Sequence, residues 1–214
     1  MSDNILIRPY QPTDSIPEIT ALLHRAYAKP AGQGVRFWAS RQDDTVTERR
    51  LKKGTSFLAI KDGAIVGTIS VYGPDKNSAA EFYRREDVRY FGQFGVDPAL
   101  QGTGLGKRLY QTVEDHCRAN NVKFLALDTC ESAADLIEMY RRWGFKQVDR
   151  VKWEVVDFRS IIMAKELTAP SIPLPEGGGS KHPFPCGEEP ALSKAKEDCE
   201  RKWAGVRSVP PRSE

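Results

Sequence analysis

Apolar and polar residues follow two different periods along this chain, and the two periods predict its secondary structure. Short apolar runs bounded by turn residues predict strands, whereas apolar residues at every third or fourth position predict amphipathic helices. The predicted strands cover residues 4–9, 55–72 (both strands of a hairpin), 88–96, 122–128, 145–155 and 159–166. The predicted helices cover residues 15–28, 43–53, 104–119 and 133–143. Because strands and helices alternate, we expect an α/β domain with a mixed sheet.

The hairpin has the clearest local signal. Apolar runs at residues 56–60 and 65–71 flank the pair Asp62-Gly63. An Asp-Gly pair between two such runs favours a β-hairpin, because both residues tolerate the positive φ angles of its turn. We therefore expect two neighbouring antiparallel strands here.

A glycine-rich turn separates the strand that ends at Val96 from the helix predicted over residues 104–119. Residues 101–107 read Gln-Gly-Thr-Gly-Leu-Gly-Lys. Glycines let a ligand come close to the backbone, and the first N–H groups of a helix have no partner within it. The order of strand, glycine turn and helix therefore predicts a site for a phosphate or pyrophosphate group.

Two common phosphate loops do not have this spacing. A nucleotide-triphosphatase loop requires G-x-x-x-x-G-K and then Ser or Thr, but Gly102 and Gly106 are one residue too close and Arg108 follows Lys107. A dinucleotide loop requires G-x-G-x-x-G directly after the first strand, whereas here residues 97–100 intervene. A glycine-rich cap without a ligand is disfavoured, because three glycines destabilise a helix start.

The arrangement V-x-P-x-x-Q-G-x-G-x-G resembles the pyrophosphate-binding motif Q/R-x-x-G-x-G/A of the GNAT superfamily of N-acetyltransferases. Gln101, Gly104 and Gly106 occupy the defined positions of that motif. A helix that ends in Y-x-x-x-G-F, at residues 140–145, resembles the second signature of the family. The resemblance covers residues 4–167 and implies a mixed, mostly antiparallel central sheet flanked by helices.

The resemblance further implies that acetyl-coenzyme A is the cosubstrate. Its pyrophosphate would lie over the glycine turn, and its pantetheine arm would pair with the edge of the central strand. The implied binding residues are Phe94, Gly95, Val96, Gln101, Gly102, Thr103, Gly104, Leu105, Gly106 and Lys107. The acetyl group would go to the primary amine of a small molecule or peptide, by direct attack in a ternary complex. Residues 27–44 fall where acceptor-facing loops lie in the family, and Phe37 and Trp38 either shape a pocket there or pack in the core.

Tyr140 is the candidate general acid. It occupies the tyrosine position of Y-x-x-x-G-F, which in the family often lies beside the coenzyme A sulfur. A phenol there can donate a proton to the departing thiolate. The alternative interpretation is a tyrosine that only packs within its helix.

The general base is less well defined by the sequence. Many family members have a glutamate on the central strand, but this chain has Gln93 there, and an amide cannot take a proton. Asp128 and Glu131 follow a buried strand and are the candidate bases, although both could instead cap the next helix. Glu81 and Asp87 are further alternatives, acting directly or through a water molecule.

Two glycines interrupt the apolar central strand. Gly92 and Gly95 favour a β-bulge or the close approach of a ligand, as glycines inside strands usually do. A backbone N–H of residues 94–96 would then polarise the thioester carbonyl. On this interpretation Gly95→Val would impair cofactor binding.

Composition limits the other classes of function. A formal net charge of +3 is too small to indicate nucleic-acid binding, and Arg49-Arg50 fits a solvated helix face. We find neither a signal peptide nor an apolar stretch of membrane-spanning length, so we expect a cytoplasmic protein that binds no membrane. The spacing of the four cysteines indicates free thiols. His182, Cys186 and Cys199 lack a fourth ligand, so we expect no metal site.

The composition changes near the C-terminus. Residues 169–180 are rich in Pro and Gly and predict a linker, and residues 190–203 can form one short charged helix. We therefore divide the chain into an acetyltransferase-like domain, residues 1–168, and a tail, residues 169–214. The tail leaves a second hypothesis open, a non-catalytic acyl-coenzyme A sensor or adaptor that recruits a partner. A homodimer is a further hypothesis.

Overall fold

The computed structural model of this 214-residue chain describes residues 4–32 and 37–167, with the backbone alone for residues 29–32. The predicted linker, the tail helix and the three residues weighed as metal ligands lie outside the described residues. The domain boundary at residue 168 therefore stays a prediction.

The described residues form seven strands and four α-helices. The strands are β1 (Ile5–Pro9), β2 (Thr55–Lys61), β3 (Ala64–Tyr72), β4 (Val88–Val96), β5 (Phe124–Cys130), β6 (Lys146–Lys152) and β7 (Arg159–Glu166). The helices are α1 (Ile16–Gly32), α2 (Asp44–Lys53), α3 (Leu105–Ala119) and α4 (Ala134–Arg142).

These strands and helices coincide with the predicted ones, and the boundaries differ by a few residues. Two differences affect the site. Because β5 runs to Cys130, Asp128 lies within the strand and not after it. Strand β6 ends at Lys152, before the predicted end at residue 155, so Trp153 lies in the loop before β7.

The seven strands form one sheet in the order β1-β2-β3-β4-β5-β7-β6. Within the described residues, β4 and β5 are parallel and the other neighbouring pairs are antiparallel. The mixed, mostly antiparallel sheet is therefore confirmed. The hairpin of β2 and β3 turns at Asp62 and Gly63, with φ angles of 50° and 81°, as the Asp-Gly pair predicts. Helix α3 provides the crossover that the parallel pair requires.

Helices cover both faces of the sheet. Neighbouring residues of a strand point to opposite faces, and β2 shows this alternation clearly. Phe57 and Ala59 pack in the core with residues of α3 and α4, whereas Leu58 packs with residues of α1 and α2. We therefore distinguish an α3/α4 face and an α1/α2 face of the sheet.

The central strand β4 contains a bulge at the predicted place. Gly95 pairs with Thr68 and Gly92 with Ser70, so two residues of β4 stand opposite the single residue Ile69. One of these two, Gln93, has a φ of 47°, the left-handed conformation that non-glycine residues adopt rarely. The bulge predicted from the glycines is confirmed.

Beyond the bulge, β4 and β5 separate. They pair only where Val88–Tyr90 runs beside Phe124–Ala126. Residues 91–96 of β4 and 127–130 of β5 continue without pairing to each other. The two central strands therefore leave an opening through the sheet, directly before the glycine turn.

The structure changes the physical reason for glycine at position 95. A Cβ atom there would lie 3.2 Å from Leu23 Cδ2 and 3.3 Å from Ala26 Cβ, both on α1. We expect Gly95→Val to lower the free energy of unfolding by about 1–3 kcal/mol, because the added methyl groups overpack the contact between strand and helix. Urea unfolding measures this loss. Gly73→Val is the control, since no atom lies within 4 Å of its Cβ position, and an equal loss there would contradict the α1 contact.

Candidate active site

The opening between β4 and β5 connects the two faces of the sheet. Leu127 of β5 packs in the core of the α3/α4 face, so the preceding Ala126 and the following Asp128 point to the other face. Tyr140 of α4 packs in the α3/α4 core. Two residues predicted to be catalytic, Asp128 and Tyr140, therefore reach the opening from opposite faces.

The glycine turn adopts the conformation that its sequence predicts. Gly102 and Gly104 have φ angles of 81° and 91°, and no atom lies within 4 Å of the Cβ position of either residue. Gly104 precedes α3, and the bond from Arg108 N to Gly104 O, 3.1 Å long, joins the helix to its cap. The N–H groups of residues 105–107 come before this bond, so helix geometry leaves them without a partner. The turn has both the space and the donors for a phosphate group.

Two side chains of the turn donate to backbone carbonyls that precede it. Gln101 Nε2 donates to Val96 O at 3.2 Å, and Thr103 Oγ1 donates to Leu100 O at 2.7 Å. The side chain of Leu105 is buried in the core, so Leu105 can offer a ligand only its N–H group. Apart from Lys107, whose side chain is exposed in the first turn of α3, an anion at this turn would therefore meet mainly backbone donors.

Phe94 connects the turn to α4 and α1. Its Cζ lies 3.5 Å from the Cβ position of Gly106, and its ring centroid lies 6.3 Å from that of Trp143. Its carbonyl oxygen accepts a hydrogen bond from the hydroxyl of Tyr27 at 2.8 Å. Burial raises the pKa of Tyr27 to about 12, so this hydroxyl keeps its proton and remains a donor.

Tyr140 lies among aromatic rings on the α3/α4 face. Its ring centroid is 5.7 Å from that of Trp143 and 6.1 Å from those of Phe91 and Phe145. Among the described residues, no side chain or carbonyl forms a hydrogen bond with its hydroxyl. Burial, and then the nearby Tyr27 and Asp128, raise the pKa of Tyr140 well above its ordinary value. The phenol therefore stays protonated at neutral pH, as a general acid must.

Asp128 is held by two donors on the α1/α2 face. Trp153 Nε1 donates to Oδ2 at 2.9 Å, and the Tyr83 hydroxyl donates to Oδ1 at 3.5 Å. The carboxyl group is accessible to solvent, but the protein around it raises its pKa by desolvation. The hydrogen bond from Trp153 and the charge of Arg50 oppose this shift. A carboxylate with a raised pKa is a better proton acceptor than an ordinary aspartate.

The other candidate bases have less support. Glu131 is exposed after the end of β5, where its backbone N–H donates to Arg159 O at 2.9 Å. Asp87 is ion-paired with Arg85 at 2.8 Å, and the exposed Glu81 begins a short 3₁₀ helix. Helix α4 has Ala133 as its N-cap, without a side-chain cap bond. The alternative interpretation of Asp128 and Glu131 as caps is therefore wrong.

Gln93 lies inside the protein and not at the opening. It is 2% exposed; its Oε1 accepts from Gln42 Nε2 at 2.7 Å, and its Nε2 donates to Thr47 O at 3.4 Å. A carboxylate at this position would lose its solvation, which an amide tolerates when its hydrogen bonds are satisfied. The bulge thus directs Gln93 into a buried polar network.

Arg50 was not predicted as a site residue, because Arg49-Arg50 fits a solvated helix face. Arg49 is exposed, but Arg50 is half-buried and its Nη2 lies 3.2 Å from the Cβ position of Gly92. The sequence contains a signal for this placement. Arg50 lies three residues after Thr47, which is buried, and residues three apart share a helix face.

Two groups of aromatic side chains lie near the opening, one at Asp128 and one at Tyr27. Tyr83 stacks on Tyr90 with a centroid distance of 4.1 Å and lies 6.3 Å from Trp153. Phe37 lies 5.4 Å from both Tyr27 and Phe158. Phe37 thus connects α1 to the loop after β6. The next residue, Trp38, packs against Arg41, whose Cζ lies 5.3 Å from the centroid of the Trp38 ring. These rings come from five separate segments, so no local motif marks them.

The model of the acetyltransferase (GNAT) family matches residues 17–145, more than half of this chain. The chain belongs to this family. The match includes the glycine turn, the opening and α4, which carry the geometry described above. The resemblance inferred from the two motifs is therefore confirmed.

Individual relatives agree with the family. The S-(2-succino)cysteine N-acetyltransferase of Bacillus subtilis (strain 168) is 28% identical over 130 residues, which are 60% of this chain and 76% of the relative. The ribosomal-protein-S18-alanine N-acetyltransferase from Escherichia coli has a TM-score of 0.60 at 19% identity, covering 79% of this chain and 98% of that one. A GNAT family acetyltransferase from Elizabethkingia anophelis, with acetyl-CoA bound, has a TM-score of 0.56 at 20% identity, covering 78% of this chain and 100% of that one. The two structures confirm the fold.

Family membership and the N-acetyltransferase relative identify the chain as an acyl-coenzyme A-dependent acetyltransferase. This favours the enzyme over the hypothesis of a non-catalytic sensor. Within residues 4–32 and 37–167, no helix has the length and apolarity needed to cross a membrane. The same residues contain no cluster of three or more potential metal ligands.

Proposed function

We propose that this acetyltransferase moves the acetyl group of acetyl-coenzyme A to the primary amine of a small molecule or peptide, by direct attack in a ternary complex. One observation carries the proposal. The opening has a donor-rich glycine turn and a protonated Tyr140 toward one face, and a carboxylate of raised pKa, Asp128, on the other. Cosubstrate and amine can therefore approach the same point from opposite faces.

The glycine turn would hold the pyrophosphate. The free N–H groups of residues 105–107 supply donors, and the dipole of α3 favours an anion at its N-terminus by about 0.3–1 kcal/mol. The edge of β4 at residues 94–96 faces no strand across the opening. The carbonyl groups of Phe94 and Val96 already accept hydrogen bonds from Tyr27 and Gln101, so the pantetheine arm would use the remaining backbone groups of this edge. Phe94, Gly95 and Val96 would thus contribute backbone contacts.

The amine must lose a proton before it attacks. An amine with a pKa near 10.4 pays about 5 kcal/mol for the neutral form at neutral pH. We assign the removal of this proton to Asp128, because desolvation by the surrounding protein raises the pKa of its carboxyl group above the ordinary aspartate value. The hydrogen bond from Trp153 holds one carboxylate oxygen in place, and leaves lone pairs for the substrate.

The thioester is already an activated acyl group, so the protein mainly has to position it and to manage protons. Tyr140 would give its proton to the departing thiolate, since its hydroxyl is protonated and forms no hydrogen bond with the described residues. Asp128 and Tyr140 would therefore act as separate base and acid.

We expect Tyr140→Phe to lower kcat at least about tenfold and to change the Kd of acetyl-coenzyme A little. The phenyl ring keeps the packing, and the variant lacks only the hydroxyl group that would donate the proton. Steady-state release of coenzyme A thiol and calorimetry measure the two quantities. Tyr110→Phe is the control, because the Tyr110 hydroxyl accepts from Lys165 Nζ at 3.0 Å, on the outer side of the same core. Unchanged turnover in Tyr140→Phe would remove the acid role.

The proposed function is tested by incubating the full chain with acetyl-coenzyme A and a panel of primary amines. S-(2-succino)cysteine belongs in the panel, because the relative from Bacillus subtilis is named for it. Thiol release with an N-acetylated product in the mass spectrum supports the proposal. Binding of acetyl-coenzyme A without acetylation of any amine would contradict it.

A further inference from the structure

We infer that the amine acceptor carries a carboxylate group, which Arg50 binds while the amine lies at Asp128. The acceptor class is thus an amino acid or an amino-acid derivative with a free carboxylate. This inference rests on the proposed function. Arg50 would then determine which acceptors bind, whereas the glycine turn and Tyr140 act on the cosubstrate.

Arg50 is held by a hydrogen bond but has no ionic partner in the part of the chain that the structure describes. Its Nη1 donates to Gln42 Oε1 at 2.8 Å, and its Nη2 lies over Gly92. No carboxylate of the described residues lies within 4.0 Å of its guanidinium group. An arginine has five N–H donors, so one bond to an amide leaves the rest of the group for a ligand.

The protein holds Arg50 through a buried network. Gln42 is 1% exposed, and its Nε2 donates at 2.7 Å both to Gln93 Oε1 and to Thr47 Oγ1. Thr47 Oγ1 also accepts from Thr20 Oγ1 at 2.9 Å. Because its partners are fixed, the Gln42 amide presents Oε1 to Arg50 in one orientation. A guanidinium group held in this way is pre-organised to bind a planar carboxylate through two parallel hydrogen bonds.

The glycine at position 92 provides the room for Arg50. A Cβ atom there would lie 3.2 Å from Nη2, which is closer than such contacts usually come, and 3.4 Å from the Tyr72 ring. Gly92 thus lets the guanidinium group approach the backbone of β4 beside the opening. The cation lies at the edge of the place where an acceptor would enter from the α1/α2 face.

Arg50 and Asp128 form a pair of opposite charges without an ion pair. The positive charge of Arg50 acts on the Asp128 carboxyl group, yet the two groups do not come within 4.0 Å of each other. A ligand that carries both an amine and a carboxylate can meet both charges at once. An amine without a carboxylate would leave Arg50 half-buried without an anion beside it, and a diamine would add a second cation. Arg50 and Asp128 therefore favour an acceptor with a carboxylate over a simple amine or a diamine.

The test compares matched acceptors on the full chain and on Arg50→Gln. The acceptors are the standard L-amino acids other than Asp and Glu, and their α-carboxamides, which keep the amine and the side chain but lose the only carboxylate. Because the carboxamide lowers the pKa of the amine, kcat/KM is expressed per concentration of neutral amine. Charged hydrogen bonds of this kind contribute enough that kcat/KM for the acid should exceed that for the amide by at least about tenfold in the wild type. Arg50→Gln should remove this preference, mainly by raising KM for the acids, and Arg50→Lys should restore part of it.

Arg49→Gln is the matched control, because it removes the neighbouring but exposed cation and should leave the preference unchanged. Calorimetry with the N-acetylated acid and the N-acetylated amide gives a second readout without turnover, and only the acid should bind more weakly to Arg50→Gln. Equal kcat/KM for acids and amides in the wild type, with amines still acetylated, would overturn this inference alone. Acetylation of no amine would overturn the proposed function and the inference with it.

Discussion

Asp128→Asn is expected to lower kcat/KM for the amine by about 10²- to 10⁴-fold at neutral pH, which is the usual contribution of a general base. Asparagine keeps the size of the side chain and can still accept the hydrogen bond from Trp153 Nε1, which is 2.9 Å long in the wild type. What it loses is the ability to take a proton. Thiol release at saturating acetyl-coenzyme A measures the effect, and thermal unfolding checks that the variant is folded.

The pH dependence separates a base from a structural residue. Desolvation by the surrounding protein raises the pKa of Asp128, so the wild-type carboxylate should become protonated, and inactive as a base, at a higher pH than an ordinary aspartate. As pH falls through this pKa, kcat/KM should fall by one proton more steeply than protonation of the amine alone predicts. Asp128→Asn should lack this additional fall, whereas a variant that is only distorted would keep it.

Glu131→Gln is the matched control for Asp128→Asn. Glu131 is a carboxylate three residues further along the chain, exposed beyond the end of β5. Its replacement should change kcat/KM less than about twofold, in line with an exposed group outside the site. A large loss in Glu131→Gln, with a small loss in Asp128→Asn, would exchange the roles of the two residues.

The sequence predicted the parts of this site that depend on local chemistry. The glycine turn follows from residues 101–107 alone, because positive φ and free N–H groups are properties of neighbouring residues. The bulge in β4 follows similarly from Gly92 and Gly95. Tyr140 was found through the signature Y-x-x-x-G-F, and Asp128 through its place near the end of an apolar run.

The rest of the site depends on pairing that local patterns do not contain. Trp153 and Tyr83 meet Asp128 because β6, β7 and the segment before β4 come together beside β5. Arg50 reaches the site because α2 packs over β4 at Gly92, where the missing side chain leaves room for its guanidinium group. Apolar patterns indicate which face of a strand is buried, but not where two neighbouring strands stop pairing.

Gln93 illustrates how the sequence interpretation needed the structure. The sequence shows that a glutamate is missing from the central strand, and this weakens the case for a base on β4. In the structure the amide joins Gln42 at 2.7 Å, and Gln42 in turn holds Arg50 at 2.8 Å. We propose that β4 therefore supports acceptor binding while β5 supplies the base. On this proposal the proton acceptor lies on β5, across the opening from the position that Gln93 occupies on β4.

Gly104→Glu is expected to raise the Kd of acetyl-coenzyme A at least about 100-fold. The new carboxylate would stand beside the free N–H groups at the start of α3, where it repels a pyrophosphate and competes for the same donors. A non-glycine residue at the φ of 91° also costs about 1–2 kcal/mol of strain. Isothermal titration calorimetry with the full chain measures the affinity.

Gly63→Glu separates the effect of the new charge at the anion site from the effect of backbone strain. Gly63 has a φ of 81° and no atom within 4 Å of its Cβ position, so this variant introduces the same side chain with similar strain. Its hairpin lies on the side of β4 away from the opening, because β3 separates β2 from β4. Gly63→Glu should lose stability like Gly104→Glu but bind acetyl-coenzyme A like the wild type. If both variants bind equally well, the N–H groups at the start of α3 do not hold the pyrophosphate. If both lose binding equally, backbone strain and not the anion site explains the effect.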